Sequence, residues 1–160
     1  MTKQELEQKI KELENQIAEL KNAKVEDKVW KPKEEERYWY VTSYVSVDWE
    51  WWHNENYDIF NYEQGNCFKT REEAEEHLKK LTIQGKFKTY VREHSDELDW
   101  KNSQQEKWYL DYDKKIDEIE CESIIYFKKQ GTTYASSEQI LKDAIEYIGG
   151  EEVAKKYLFD

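Results

Sequence analysis

Apolar residues recur with 4-3-4-3 spacing at Leu6, Ile10, Leu13, Ile17 and Leu20. That stripe predicts a helix over residues 2–24, opened by a Thr2–Glu5 capping box. With Ile at a and Leu at d, the seam favours a parallel two-stranded coiled coil, and these five residues become the dimerisation contacts. In that orientation Lys9 at g faces Glu14 at e of the partner helix. The seam spans only about two and a half heptads, so a single amphipathic helix docked on the body stays open. Residues 25–36, "VEDKVWKPKEEE", mix charges, hold the one proline and lose all periodicity. They read as a linker.

From residue 37 the period changes to two. In "RYWYVTSYVSVDWEWW" (37–52), Val45, Val47, Trp49 and Trp51 share one face, expected to be buried. Ser46, Asp48 and Glu50 share the wet one. "HNEN" reads as a turn, "YDIFNY" as a second strand, and Gly65-Asn66 as a turn into a short third strand around Phe68. Thr70 then caps a helix with Glu73 as its capping-box partner. Ala74, Leu78, Leu81, Ile83, Phe87, Tyr90, Val91 and Leu98 supply its inward positions. The phase slips near Gly85, which predicts a kink or two abutting helices.

A second pass begins at Glu106. "EKWYLDYD" is followed by a turn at Asp113-Lys114-Lys115 and by "IDEIECESIIYF". Gly131 turns into a short strand around Tyr134, Ser136 caps a helix with Gln139, and Gly149 ends it because the left-handed cap favours glycine. "EEVAKKYLF" closes the chain as a last helix. Gly65 and Gly131 open the same phrase: Gly, two residues, an aromatic, one residue, a hydroxyl, one residue, Glu. The predicted fold class is α+β: an N-terminal helix forming a short coiled coil, then a tandem β-β-β-α repeat with antiparallel sheets packed on helices. The units span 37–100 and 106–160 and pack as one body, since neither alone buries both its sheet and its helix. Chance recurrence of turn-plus-cap phrases is the competing explanation.

Composition sharpens this picture. Charged residues make up 38% of the chain, yet aromatics reach 15%, too many large rings for a disordered protein. The net charge is −11; residues 1–37 carry 9 Lys/Arg against 10 Asp/Glu, so nearly all the excess lies in 38–160. Such a body is repelled by phosphate backbones, which disfavours direct nucleic-acid binding. Cys67 and Cys121 lie far apart and form no metal-ligand spacing. With no signal peptide at "MTKQELEQ" and no long apolar run, a soluble cytoplasmic protein with reduced thiols and no membrane span is expected.

The inventory for catalysis is thin. His53, His77 and His94 stand in unrelated contexts, and no phosphate loop, dinucleotide fingerprint or nucleophile elbow occurs. No catalytic residue, metal or cofactor is expected. Carboxylates are more informative. Glu118, Glu120 and Glu122 alternate along one strand, about 6.5–7 Å apart on one face. Asp111 and Asp113 are expected on the facing strand, and Asp48 and Glu50 echo them in the first unit. A row at that pitch approximates the phosphates of an extended nucleic-acid strand and fits a basic channel in a partner protein. A solvated outer face has the same look, and both readings stand on the residues alone. Tyr38, Trp39, Tyr40, Trp51, Trp52 and Trp108 offer a third possibility, an aromatic pocket for a nucleotide signal, against the simpler role of filling a core.

The order of a heptad helix, a "WKP" linker, a "YWYV" strand and "GNCFKTREEAE" entering a helix resembles a group of small phage and prophage proteins of low-GC Gram-positive bacteria. The match runs the whole chain and departs at "EEERYWYV", where charge replaces a Gly-Glu turn. The resemblance carries no catalytic residue. It implies an accessory protein of the kind that includes anti-CRISPR inhibitors, working in the cytoplasm of the infected host. The implied partner is a host defence protein, a Cas9-type nuclease; the carboxylates picked out by their spacing, Asp111, Asp113, Glu118, Glu120, Glu122, Asp48 and Glu50, are the surface expected to bind it. A purely structural phage interaction module is the remaining alternative.

Overall fold

The computed structural model describes residues 30–159 together with Lys9. The chain divides into two units, Met1–Lys31 and Pro32–Asp160. The coiled-coil seam Leu6, Ile10, Leu13, Ile17 and Leu20 lies outside the described residues. The second unit is α+β, with two small antiparallel sheets and four helices among the described residues. In order these are β1 (Arg37–Val41), β2 (Val47–Trp51), α1 (Asn56–Glu63), α2 (Arg71–His94), β3 (Lys107–Asp113), β4 (Glu118–Ile124), α3 (Glu138–Ile148) and α4 (Glu151–Leu158).

The segment 37–52 is itself a hairpin, with Arg37 opposite Trp51, Trp39 opposite Trp49 and Val41 opposite Val47. The Thr42 N–H donates to the Ser46 carbonyl at 2.8 Å, closing the turn, and Val45 takes φ +60 within it. "YDIFNY", expected as a strand, is helix α1. Asp58 decides this: its Oδ2 accepts the backbone N–H groups of His53 (2.9 Å) and Glu55 (3.1 Å), tying off the helix start. Its Oδ1 accepts the Tyr38 hydroxyl at 2.9 Å. Asp58 and Tyr38 are both buried, so one carboxylate both starts the helix and pins it to β1. Asn66 continues the network: Oδ1 accepts the Val41 N–H, and Nδ2 donates to the Val41 carbonyl and to Asn61.

The expected short third strands are single bridges. Trp39 exchanges both backbone hydrogen bonds with Phe68, at 2.9 Å each, and Trp108 does so with Ala135, at 2.9 and 2.8 Å. Ala135, not Tyr134, therefore occupies the place matching Phe68. The cap shifts with it: Ser137 Oγ accepts the Ile140 N–H, while Ser136 Oγ accepts from the Asp96 N–H in the preceding loop. Gln139 bonds Asp143 rather than the cap. The Thr70–Glu73 box forms as expected, and α2 then runs unbroken for 24 residues through Gly85. It stays whole because the phase slip only rotates the buried stripe, from Ala74 to Ile83, Phe87 and Val91, leaving Leu81 exposed.

Helix α2 packs on the first hairpin and on α3 and α4, while α3 packs on β3 and β4. Ile83, Phe87, Val91, Ala135, Leu141, Ala144, Ile148, Ala154 and Tyr157 form one buried cluster. Trp108, Leu110, Ile119 and Cys121, the inward face of the second hairpin, close over it. Gly149, at φ +116, ends α3 and lets α4 fold back; a Cβ there would meet the Val153 side chain at 3.2 Å.

Candidate functional site

The register of the second hairpin sets the site. Asp111 stands directly opposite Glu120, Asp113 opposite Glu118, and Tyr109 opposite Glu122. Strand alternation puts all six on the face turned away from the core cluster. The five carboxylate residues expected on this hairpin therefore share one surface, and all five are exposed.

Like charges directly across an antiparallel ladder destabilise it. Here two such pairs are adjacent. Among the described residues the side chains of Asp111, Glu118 and Glu120 form no ion pair or hydrogen bond, although Asp111 lies within the field of Lys129, and the Asp113 side chain accepts only the Lys115 backbone N–H, at 2.8 Å. Glu122 differs. It accepts a short hydrogen bond from the Tyr109 hydroxyl, which in turn accepts from Lys129 Nζ at 2.8 Å, with the ammonium 4.2 Å from the Tyr109 ring centroid. The Glu122 bond, ahead of the opposing Lys129 one, pushes the Tyr109 phenol up. Hydrogen bonding to Tyr109 raises Lys129, with Asp111 and Glu122 adding to the effect. Sequence reasoning missed Tyr109 and Lys129, although Tyr109 precedes Asp111 by two residues and so had to share its face.

The base of this face is covered. Trp100 packs edge-on to Tyr134 (4.9 Å), and Tyr134 lies 5.7 Å from Tyr109. Lys107 is fully buried below them, its ammonium donating to the carbonyls of Asn102 (3.0 Å), Gln105 (2.7 Å) and Ile125 (3.4 Å). The tip, with four carboxylates, is left open.

Asp48 and Glu50 lie on the other hairpin and have another occupation. Since Trp39 directs its backbone at Phe68, alternation turns the N–H groups of Trp49 and Trp51 out along the free edge of β2. Asp48 Oδ1 accepts the Trp49 N–H at 2.8 Å and Glu50 Oε1 the Trp51 N–H at 2.9 Å. Each carboxylate stops an edge amide from recruiting another strand.

The face expected to be buried on this hairpin is the open one: Trp49 is 41% and Trp51 45% exposed. Helix α1 covers the opposite face instead, where Tyr40 meets Tyr57 and Tyr38 meets Trp52. Arginine lies between the open rings, with Arg37 5.3 Å from the Trp39 centroid and 5.4 Å from that of Trp49. Arg71 stands 5.8 Å from Trp39 on its other flank and pairs with Glu75 at 2.7 Å. Two of the chain's three arginines thus lie against tryptophans of this hairpin, both against half-buried Trp39 and one also against exposed Trp49. The signal was present in Arg37-x-Trp39, since residues two apart on a strand are neighbours. Of the other candidate ring residues, Tyr38 and Trp52 are core.

Comparison with protein families, curated proteins and solved structures finds no match.

Among the described residues no group of three or more His, Cys, Asp or Glu is placed to hold a metal ion. No helix among them is long and apolar enough to cross a membrane. Burial, with Asp58 adding, pushes the Cys67 thiol up to about 12, and burial raises Cys121, so neither is an activated nucleophile. His94 stacks on Tyr90 at 4.0 Å with Nδ1 at 2.8 Å from the Tyr90 carbonyl, and His77 packs 4.9 Å from Phe68. Neither has a nucleophile or acid partner in these contacts.

Proposed function

We propose that the protein is a non-enzymatic anti-defence protein of phage origin. It presents the carboxylate tip of β3–β4 to a basic nucleic-acid channel of a Cas9-type nuclease and blocks that path in the host cytoplasm. One observation carries the reading: Asp111–Glu120 and Asp113–Glu118 oppose each other on one hairpin with no ion pair among the described residues. A fold shaped for stability alone would alternate signs there. Guide and target strands lie in positively charged channels in such effectors, and a net charge of −11 favours the encounter. The Cas9-type partner rests on the resemblance of the chain to phage and prophage proteins. Pairing of two copies rests instead on the 4-3-4-3 spacing of Leu6, Ile10, Leu13, Ile17 and Leu20. In this reading the body is a tandem of two hairpin-bridge-helix units, supported by the matching places of Trp39–Phe68 and Trp108–Ala135.

The test is target cleavage by a Cas9-type nuclease with increasing amounts of the wild type and of a Glu118→Lys/Glu120→Lys variant. The variant should lose inhibition while melting at or above the wild-type temperature, because it removes two like-charge contacts. Undiminished potency in a folded variant would remove the carboxylate tip from the mechanism. Quenching of tryptophan emission by mononucleotides, with no effect on cleavage, would move the function to the open Trp49–Trp51 face as a nucleotide sponge.

A further inference from the structure

The two hairpins end in different edges. On β2 the outward amides of Trp49 and Trp51 are taken by Asp48 and Glu50, each the residue before. The same order recurs on β4, where Glu118 precedes Ile119, Glu120 precedes Cys121 and Glu122 precedes Ser123. Here the carboxylates leave the edge alone. Trp108 directs its backbone at Ala135, so Tyr109, Asp111 and Asp113 direct theirs at Glu122, Glu120 and Glu118. Alternation then turns the N–H and C=O groups of Ile119, Cys121 and Ser123 out along the far edge of β4. Among the described residues these backbone groups have no partner. The side chains of Glu118 and Glu120 form no hydrogen bond there either, and Glu122 accepts from Tyr109 instead.

An unblocked edge is a template for an added strand. The two faces of β4 fix what that strand must carry. On the outer face, a side chain directly opposite Glu118, Glu120 or Glu122 lies about 4.5–5.5 Å away and is favoured when positive. On the inner face Ile119 and Cys121 pack against the core cluster, so residues opposite them extend an apolar surface. A second copy of this chain does not fit. Antiparallel pairing of two β4 edges about Cys121 sets Glu120 of each copy opposite Glu122 of the other, and like charges across a ladder repel.

We propose that the β4 edge binds an extended segment of a partner protein, as an antiparallel strand in which Lys or Arg alternates with apolar residues. The apolar residues stand opposite Ile119 and Cys121 and exchange main-chain hydrogen bonds with them. The basic residues between stand opposite the glutamates. This deepens the reading of the acidic hairpin as a partner-binding surface and rests on it, but it requires the backbone as well as the charge.

The test titrates the full-length protein with acetyl-Lys-Val-Lys-Val-Lys-amide, following backbone amide signals by NMR. The peptide should shift the Ile119 and Cys121 amides and slow their exchange with solvent. Paired as proposed, its valine N–H groups face β4 and its lysine N–H groups face away. Methylating both valine nitrogens should weaken binding about tenfold or more, whereas methylating the second and third lysine nitrogens should change it by about twofold at most. Equal affinity of the two methylated forms would mean attraction by charge alone; it would overturn strand addition and leave the acidic surface standing. No binding of the parent peptide would overturn the proposal outright. Inhibition of a nuclease is read separately, so loss of one behaviour with the other retained tells the two readings apart.

Discussion

Replacing Asp58 by alanine tests how the first hairpin is held. The carboxylate accepts three hydrogen bonds, from the Tyr38 hydroxyl and from the His53 and Glu55 amides, at 2.9, 2.9 and 3.1 Å. Water replaces it readily at the two amides, whose residues are exposed; losing those bonds and the tied-off helix start should cost about 1–2 kcal/mol. Tyr38 is fully buried and would keep only the Asn61 amide at 3.4 Å, which donates to it. Its orphaned hydroxyl adds about 1–3 kcal/mol. The sum, about 2–5 kcal/mol, is a large share of the 5–15 kcal/mol typical of a folded domain. Urea unfolding followed by tryptophan emission reads it directly, because Trp52 packs edge-on against Tyr38 at 5.9 Å. Tyr38→Phe removes the donor alone and should cost about 1 kcal/mol. The double variant should then be less destabilised than the two single losses added together. A loss below about 1 kcal/mol for Asp58→Ala, or strict additivity, would show that this network does not hold α1 to the sheet.

Two further outcomes follow from local conformation and burial. Val45 holds φ +60 in the hairpin turn, a region that costs a β-branched residue about 1–2 kcal/mol, so Val45→Asn should raise the urea midpoint by about 1 kcal/mol in stability; no change would mean the strain is absent. His77 is held below its ordinary value, first by burial and then by Lys80. The folded state therefore binds fewer protons than the unfolded chain, and stability contributed by neutral His77 is lost as pH falls below about 6.5. Comparing urea midpoints at neutral and mildly acidic pH should show a smaller acid loss in His77→Leu than in the wild type; equal losses would refute this.

Much of the second hairpin was legible because its signals are local. Alternation from Lys107 to Asp113 and from Glu118 to Ile124 put five carboxylates on one face, and Thr70, Glu73 and Gly149 mark helix ends by their own chemistry. What was not legible depended on distant partners. "YDIFNY" alternates well enough for a strand; the capping box between Glu55 and Asp58, together with the bond from Asp58 to Tyr38, 20 residues away, makes a helix the better use of it. Alternation in "VSVDWEW" shows that two faces exist but not which one is covered; helix α1 settles that, and covers the tyrosines. Ser136 and Ser137 are chemically equivalent as caps. The choice between them is made by the Trp108–Ala135 bridge, a tertiary contact. Asp48 and Glu50 resemble the tip carboxylates in sequence but lie on a free edge, where the nearest donors are their neighbours' amides.

The enclosed ammonium of Lys107 has an outward effect. Its hydrogens are all directed at peptide oxygens from the surrounding loops, so none is left to bond a carboxylate of the hairpin tip. The tip carboxylates stay without a hydrogen-bonded cation, and their field extends into solvent for about one screening length, roughly 8 Å in physiological salt. A cationic visitor would sense the hairpin before touching it.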